Sequence, residues 1–233
     1  MHRIMFAAMV VIGWMISAEE SPAAEGGWVP LLERQDPSGE VAGWKSFHEE
    51  AGTKTGDVWK LTDDGAVVCR GNPKGYLCTE REYSDFVLRL KWRWPEGKPG
   101  NGGVLIRTTG NDKIWPKSLE AQINAGGAGD FWGLDGYRLG GPTERARALD
   151  HPQFGKLTNL KRTADLEKPA GEWNFYEIHA KGGTVTLMIN GQEVNRATGC
   201  DVRPGKICLT SEGNEIHYRD VEIRPGTNSE ERR

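Results

Sequence analysis

The chain contains 233 residues, with 30 Lys and Arg against 33 Asp and Glu and a formal net charge of −3. This balance gives no support to nucleic-acid binding or to a basic patch that would bind a membrane surface. The 31 glycines indicate many turns, and the length without a leader segment suits one large β domain.

The N-terminus has the pattern of a secretory signal peptide. Residues 1–16 combine an early positive charge with an apolar run, and small residues follow near Ala18 and Ala23–Ala24. An uncleaved membrane anchor is the alternative, but the run is shorter than the roughly 20 residues that a membrane span needs. We therefore predict a signal peptide over residues 1–24, export to the periplasm or the extracellular space, no membrane span after cleavage, and one domain over residues 25–233.

Short strands separated by turn signals make up most of the remaining chain. The runs V-W-K-L and A-V-V-C are joined by a turn ending in Asp64-Gly65, and Asn190-Gly191 joins a second pair of runs; both are strong hairpin signals. Phe86–Trp94 alternates apolar and mostly basic residues, which predicts a strand with one buried face. Residues 126–171 are interpreted as loops that build the wall of a site, with room for one or two short strands. No segment has sustained helical periodicity, so the pattern predicts an all-β sandwich or barrel.

The four cysteines occur as two local pairs, Cys69 with Cys78 and Cys200 with Cys208. An oxidising compartment favours disulfides, and four cysteines allow three connectivities. Neither pair has the C-x-x-C spacing of a metal site, and no histidine pattern accompanies them. We predict at least one bridge and leave its partners open.

One predicted hairpin carries a polar face. In the run S-L-E-A-Q-I-N, the residues Ser118, Glu120, Gln122 and Asn124 alternate with apolar residues and therefore share one side of a strand. The preceding run N-G-G-V-L-I-R should place Arg107 on the same surface if the two runs pair as an antiparallel hairpin. A row of neutral hydrogen-bonding groups with one acid and one base suits a polyhydroxylated ligand.

An exported β-sandwich with such a face invites comparison with sandwich glycosidases. Ordinary glycoside hydrolysis uses two carboxyl groups that flank the scissile bond. Here Glu120 is the one acidic residue of the polar strand, and the nearby Asp112 and Asp130 fall in predicted loops. The two-carboxylate mechanism is therefore not supported, and the chain is either a carbohydrate-binding module or an enzyme with different chemistry.

Several short motifs occur in order along the chain. They are Asn101-Gly102-Gly103 followed by Arg107, Glu120-x-Gln122, Gly129-Asp130-Phe131-Trp132, Glu167-Lys168-Pro169, Gly171-Glu172-Trp173-Asn174, Asn190-Gly191, Gly205-Lys206-Ile207 and Tyr218-Arg219-Asp220. In this shared order they resemble one known family, the 3-keto-disaccharide hydrolase domain, from about Trp28 to Pro225. Departures from its pattern are Gly102 where Ser is usual, Asp220 where Asn is usual, and Thr210-Ser211 where Leu-Gln is common.

The resemblance implies a concanavalin A-like jelly roll and cleavage of glycosides whose 3-hydroxyl has been oxidised to a ketone. A ketone at C3 acidifies the proton on C2, and the glycosidic oxygen on C1 is β to the resulting carbanion. Proton abstraction followed by elimination then cleaves the bond, and water can add afterwards. Such a site needs one base, a stabiliser for the enolate and polar groups that position the sugar.

These requirements assign roles to the candidate residues. Glu120 is the predicted base because burial would raise its pKa towards the working pH. Arg107 would stabilise the enolate, and the alternative for this pair is a structural salt bridge across the hairpin. His151 is the rival base, with an exposed loop histidine as its alternative. The predicted substrate-binding residues are Asn101, Gln122, Asn124, Trp132 and Arg138.

Trp132 would stack on a sugar ring or pin its loop to the sheet. No cofactor is predicted, and the scattered histidines suggest no metal site, although loop carboxylates and carbonyls could bind a metal ion. The partner is a carbohydrate, a 3-keto-glycoside if the chain is an enzyme and an intact glycan if it is a binding module.

Overall fold

A computed structural model describes residues 27–226 of the chain. The predicted signal peptide over residues 1–24 lies outside the described residues. Within them, no helix is both long enough and apolar enough to cross a membrane.

The described residues form two antiparallel sheets of eight strands each, numbered here in chain order. We call the first the back sheet. Its strands, in spatial order, are β14 (Gln192–Ala197), β13 (Thr184–Ile189), β12 (Asn174–Lys181), β6 (Phe86–Arg93), β16 (Ile216–Pro225), β4 (Val67–Cys69) and β3 (Trp59–Leu61), with β1 (Val29–Pro30) paired to β16.

The second sheet, called the front sheet, carries the polar hairpin. Its strands, in spatial order, are β10 (Ala146–His151), β11 (Gly155–Leu160), β9 (Phe131–Leu134), β8 (Lys117–Gln122), β7 (Gly103–Thr109), β15 (Lys206–Ser211), β5 (Gly75–Thr79) and β2 (Trp44–His48). The single helical element is one turn, α1 (Thr55–Val58), among the described residues.

One hydrophobic core fills the space between the sheets. Strand β6 contributes Phe86, Leu88, Leu90 and Trp92 to it, which is the alternation that the sequence predicted. Alternate residues of the front-sheet strands, such as Leu119 on β8, meet them from the other side. The all-β sandwich is therefore confirmed.

Both predicted hairpins are present. Strands β3 and β4 pair across the turn that ends in Asp64-Gly65. Strands β13 and β14 pair across Asn190-Gly191, where both residues have positive φ values of 51° and 83°. That backbone matches a type I′ turn, for which Asn-Gly is the preferred pair.

The interpretation of residues 126–171 as mainly loops is wrong, because three strands lie there. Strand β9 continues the front sheet beyond β8, and β10 and β11 form a hairpin at its edge. The sequence of β10 has no apolar alternation that would reveal a strand, because three of its six residues are exposed and the other three are only half-buried at the sheet edge. Edge pairing through the backbone leaves little trace in the side chains.

One disulfide is present, between Cys78 and Cys208. These residues are register partners on β5 and β15, so the bridge links neighbouring strands that are 130 residues apart in sequence. The prediction of at least one bridge is confirmed. It takes one cysteine from each local pair, while Cys69 and Cys200 remain buried thiols.

Candidate functional site

The polar hairpin forms as the sequence predicted. Strands β7 and β8 pair antiparallel, with Gly103 opposite Gln122 and Leu105 opposite Glu120. Because Val104 lies in the core between the sheets, Gly103 and Leu105 point away from it. We call this side of the front sheet the outer face.

Glu120 is buried on the outer face, with 3 % of its surface exposed. Its side chain occupies the space above Gly103, where an added Cβ would lie 2.3 Å from Oε1 of Glu120. Within the described residues, Oε1 has no hydrogen-bond partner. Burial raises the pKa of Glu120 well above its usual value, and the charge of Glu212 raises it further. Glu120 is thus a carboxyl group that holds a proton far more readily than a solvated one.

Glu212 is the second carboxyl group of the site, and it was not among the residues predicted from the sequence. Cys208, Thr210 and Glu212 alternate along β15 and its continuation, which places Glu212 on the same face as the disulfide. Burial raises the pKa of Glu212, while the hydroxyl of Thr210 and the charge of Lys74 oppose the rise. The expectation that Glu120 stands without a second carboxylate is therefore wrong. Extending the period-2 pattern two residues past Thr210 would have found it.

Two predicted substrate-binding amides connect Glu212 to the hairpin that carries Glu120. Asn101 donates from Nδ2 to Oε2 of Glu212 at 2.6 Å. Gln122 donates from Nε2 to Oδ1 of Asn101 at 3.0 Å. The structure therefore brings Asn101, Gln122, Glu120 and Glu212 together, and this set is called the acid–amide cluster below.

An aromatic residue and a narrow cleft border the acid–amide cluster. Trp132 on β9 is the register partner of Glu120 and packs half-buried on the outer face, so it lies in a strand and not in the predicted loop. On the other side, Lys74, Trp115 and Glu212 line a cleft that also includes Tyr76. The ring of Trp132 offers a stacking surface for a sugar, whereas the cleft has a volume of about 10 Å³ and admits a group the size of a water molecule.

Arg107 is not part of this surface, because the hairpin contains a β-bulge. The β7–β8 register shifts between Ile106 and Thr109, and Arg107 adopts a φ of 51°. Thr108, and not Arg107, contacts Cys208 on the outer face, where the disulfide sulfur of Cys208 lies 3.5 Å from Oγ1 of Thr108. A bulge adds one residue to one strand and reverses the alternation beyond it.

The guanidinium of Arg107 instead joins the two sheets at their margin. It donates at 2.9 Å to each of three backbone carbonyls, those of Ser84, Gly182 and Asp201. Its Nη2 also lies 3.4 Å from Oδ1 of Asp85. The predicted pairing of Arg107 with Glu120, catalytic or structural, is therefore wrong.

Replacing Arg107 with Met should destabilise the fold by about 3 kcal/mol or more, since three buried carbonyls would lose their donor. Urea unfolding would measure the change, with Arg70→Met as a matched control because Arg70 is an exposed arginine on the back sheet side. The control should stay within about 0.5 kcal/mol of the parent. An unfolding midpoint unchanged in Arg107→Met would contradict this structural role.

Two further predicted binding residues lie away from the acid–amide cluster. Arg138 pairs with Asp201 through Nε at 2.6 Å, next to the carbonyl that Arg107 contacts. Asn124 lies two residues beyond the end of β8 and is exposed in a turn closed by the amide of Gly127. The alternation that placed Asn124 with Gln122 fails because the strand ends at Gln122.

His151 ends β10 and lies apart from the acid–amide cluster. Its ring stacks on Phe154 with centroids 4.4 Å apart, and Phe154 in turn contacts Trp115. The backbone amides of Gln153 and Phe154 both donate to Nδ1 of His151. In the neutral ring the proton is then on Nε2, so His151 has no free lone pair with which to act as a base.

No group of three or more His, Cys, Asp or Glu side chains is arranged to hold a metal ion in residues 27–226. The acid–amide cluster contains two carboxyl groups and two amides, which are hydrogen-bonding groups for hydroxyls as well as proton-transfer groups.

The family model of the 3-keto-alpha-glucoside-1,2-lyase-like domain matches residues 27–224 of the chain. A search of curated proteins finds no significant match.

Solved structures with a similar fold cover most of the chain. A candidate glycosyl hydrolase from Parabacteroides distasonis has 22 % identity and a TM-score of 0.57, with 85 % of this chain and 99 % of that chain covered. The β-glucanase of Bacillus licheniformis has 11 % identity and a TM-score of 0.56, with 87 % and 100 % covered. The carbohydrate-binding module CBM66 of Bacillus subtilis has 14 % identity and a TM-score of 0.54, with 78 % and 95 % covered. These similarities confirm the predicted concanavalin A-like jelly roll.

Proposed function

Because the chain belongs to the 3-keto-alpha-glucoside-1,2-lyase-like domain family, we propose that it cleaves glycosides whose 3-hydroxyl has been oxidised to a ketone. The observation that best supports a proton-transfer enzyme is the pair of carboxyl groups in the acid–amide cluster. Oε1 of Glu120 and Oε1 of Glu212 are both buried and have no hydrogen-bond partner within the described residues. Buried polar atoms are normally paired, so these two oxygens are suited to groups of a bound ligand.

The proposed reaction needs two proton transfers. A carboxylate removes the proton from C2, and the electron pair of that C–H bond forms an enolate whose charge lies on the oxygen at C3. The enolate then forms the C1–C2 double bond and restores the ketone as the bond between C1 and the glycosidic oxygen breaks. A carboxylic acid protonates the departing oxygen. The products are an alcohol and an unsaturated 3-keto sugar, to which water can add. The pair gains one proton and loses one, so its total charge is unchanged.

The surroundings of the two carboxyl groups favour one division of these roles. Glu212 accepts a 2.6 Å hydrogen bond from Asn101, and Lys74 and Thr210 lower its pKa against the effect of burial. Nothing comparable opposes the raised pKa of Glu120. We therefore assign the negative charge and the base role to Glu212, and the proton and the acid role to Glu120. The sequence predicted Glu120 as the base because its pattern revealed one carboxyl group and not two.

The remaining groups of the outer face would position the sugar. Gln122 and Asn101 each keep hydrogen-bonding capacity beyond their mutual contact. The half-buried ring of Trp132, beside Glu120, offers a surface for stacking. We also propose that the protein acts after export, in the periplasm or outside the cell, on the strength of the predicted signal peptide.

Ordinary glycoside hydrolysis is the second candidate, because Glu212 supplies the second carboxyl group that this chemistry needs. Incubating the purified protein with a 3-keto-disaccharide and with its unoxidised parent separates the two reactions. We expect release of the free sugar from the keto substrate alone. Cleavage of the parent at a similar rate would support ordinary hydrolysis. Saturable binding of intact glycans without any turnover would identify a carbohydrate-binding module instead.

A further inference from the structure

The proposed elimination places negative charge on the oxygen at C3, next to a cluster that already contains two carboxyl groups. Such a transition state is stabilised by a fixed cation or by hydrogen-bond donors close to the developing oxyanion. Arg107 cannot serve, because its guanidinium is held at the margin of the two sheets.

Lys74 supplies a cation at the correct side of the sheet. It directly precedes β5, and it is the one cationic residue among the described residues that line the cleft beside Glu212. Its Nζ lies 5.9 Å from the centroid of the Trp115 ring. Within residues 27–226 its ammonium forms no salt bridge, and the nearby carboxylate of Glu49 accepts a hydrogen bond from the Lys74 backbone amide at 3.3 Å.

The charge of Lys74 already acts on the acid–amide cluster, because it lowers the pKa of Glu212. Lys74 and Glu212 line the same narrow cleft, so the ammonium group is placed to favour an oxyanion on a sugar bound against that cleft.

We propose that Lys74 is the cationic residue that binds the C3 oxygen and stabilises the enolate, with Trp115 holding its ammonium over the cleft. The inference rests on the proposed function. Lys74 stays protonated throughout: the C2 proton moves to Glu212, the charge spreads onto the C3 oxygen, and no covalent bond to Lys74 forms. This interaction is stronger for the enolate than for the neutral ketone, so it acts mainly on kcat.

The test compares Lys74→Met, which removes the charge, with Lys74→Arg, which retains it. Lys60→Met is the matched control, because Lys60 is an exposed lysine of β3 in the back sheet. The measurements are cleavage of a 3-keto-disaccharide and exchange of its C2 hydrogen in D₂O, which reports enolate formation directly. We expect both rates to fall about 10²-fold in Lys74→Met, with KM changing much less, and to stay within about tenfold of the parent in Lys74→Arg.

The pH dependence gives a readout that a merely structural lysine would not change. Losing the charge of Lys74 should raise the pKa of Glu212, so the acid limb of the kcat/KM profile should move to higher pH in Lys74→Met. Unchanged exchange and cleavage in Lys74→Met, with an active parent, would overturn this role alone. An equal loss of rate in Lys74→Met and Lys74→Arg would also overturn it, because that result would indicate that the lysine amine itself reacts. An inactive parent would overturn the proposed function itself.

Discussion

Replacing Glu120 with Gln is expected to lower kcat for a 3-keto-disaccharide by about 10²–10⁴-fold, the usual contribution of a positioned acid or base. The substitution preserves the shape of the side chain above Gly103 and removes the proton that the leaving oxygen needs. The same assay on Glu80→Gln is the control, because Glu80 is an exposed carboxylate paired with Lys45 on the front sheet. Activity of Glu120→Gln close to that of the parent would exclude Glu120 from the reaction.

The leaving group distinguishes an acid from a base at this position. A 3-keto-glycoside with a nitrophenol leaving group needs little protonation as its bond breaks. If Glu120 is the acid, the Gln variant should recover most of its rate on that substrate and retain C2 exchange in D₂O. If Glu120 is the base, both measurements should stay low, and the roles of the two carboxyl groups should be exchanged.

The free energy of unfolding provides an independent check on the protonation state of Glu120. Its pKa is raised in the folded protein, mainly by burial. A carboxyl of this kind binds more protons when folded than when unfolded, so it makes stability fall as the pH rises above the ordinary carboxyl range and up to the folded pKa. Glu120→Gln should therefore show a flatter dependence of unfolding free energy on pH than the parent over that interval. Urea titrations at several pH values would measure the two slopes.

The second large effect is expected from Glu212→Gln. As the proposed base, Glu212 should be needed for both C2 exchange and cleavage, and both rates should fall by about 10²–10⁴-fold. A substrate with a nitrophenol leaving group should not restore them, in contrast to Glu120→Gln. Glu215→Gln is the matched control, since Glu215 is exposed three residues further along and pairs with His217.

The residual activity of Glu212→Gln should also titrate differently. The charge of Glu212 contributes to the raised pKa of Glu120. Removing it lowers the pKa of Glu120, so the limb of the pH profile that belongs to Glu120 moves to lower pH. For an acid this is the alkaline limb, and for a base it is the acid limb. A limb that does not move would show that the two carboxyl groups do not interact.

The same fold serves binding as well as catalysis, because the similar structures include both a β-glucanase and a carbohydrate-binding module. Function on such a sandwich depends on the side chains of its outer face and not on the sheets. In this chain, the outer face presents two carboxyl groups, each with a buried oxygen that has no hydrogen-bond partner within residues 27–226. A surface used only to bind neutral sugars has no need to keep such oxygens unpaired, since burying them costs free energy.

The sequence by itself determined the sandwich, because the alternation of β6 and the Asp-Gly and Asn-Gly turns depend on interactions between residues close in the chain. It also placed Glu120 and Gln122 on one face, since a strand's period of two alternates its side chains, whereas Asn101 and Trp132 were named from motifs and not from a strand pattern. The same rule failed at Arg107 because a bulge, which no local pattern revealed, reverses the alternation there.

Only the tertiary structure decided what surrounds Glu120. Glu212 is 92 positions away in the chain, yet strand order places β15 directly beside β7, on the side opposite β8. Lys74 reaches the same cleft because β5 follows β15 in the sheet. Burial and the proximity of charges set the pKa values of the two carboxyl groups, and both depend on long-range strand pairing. That pairing turned a hairpin with one apparent carboxylate into a site with two carboxyl groups and a cation.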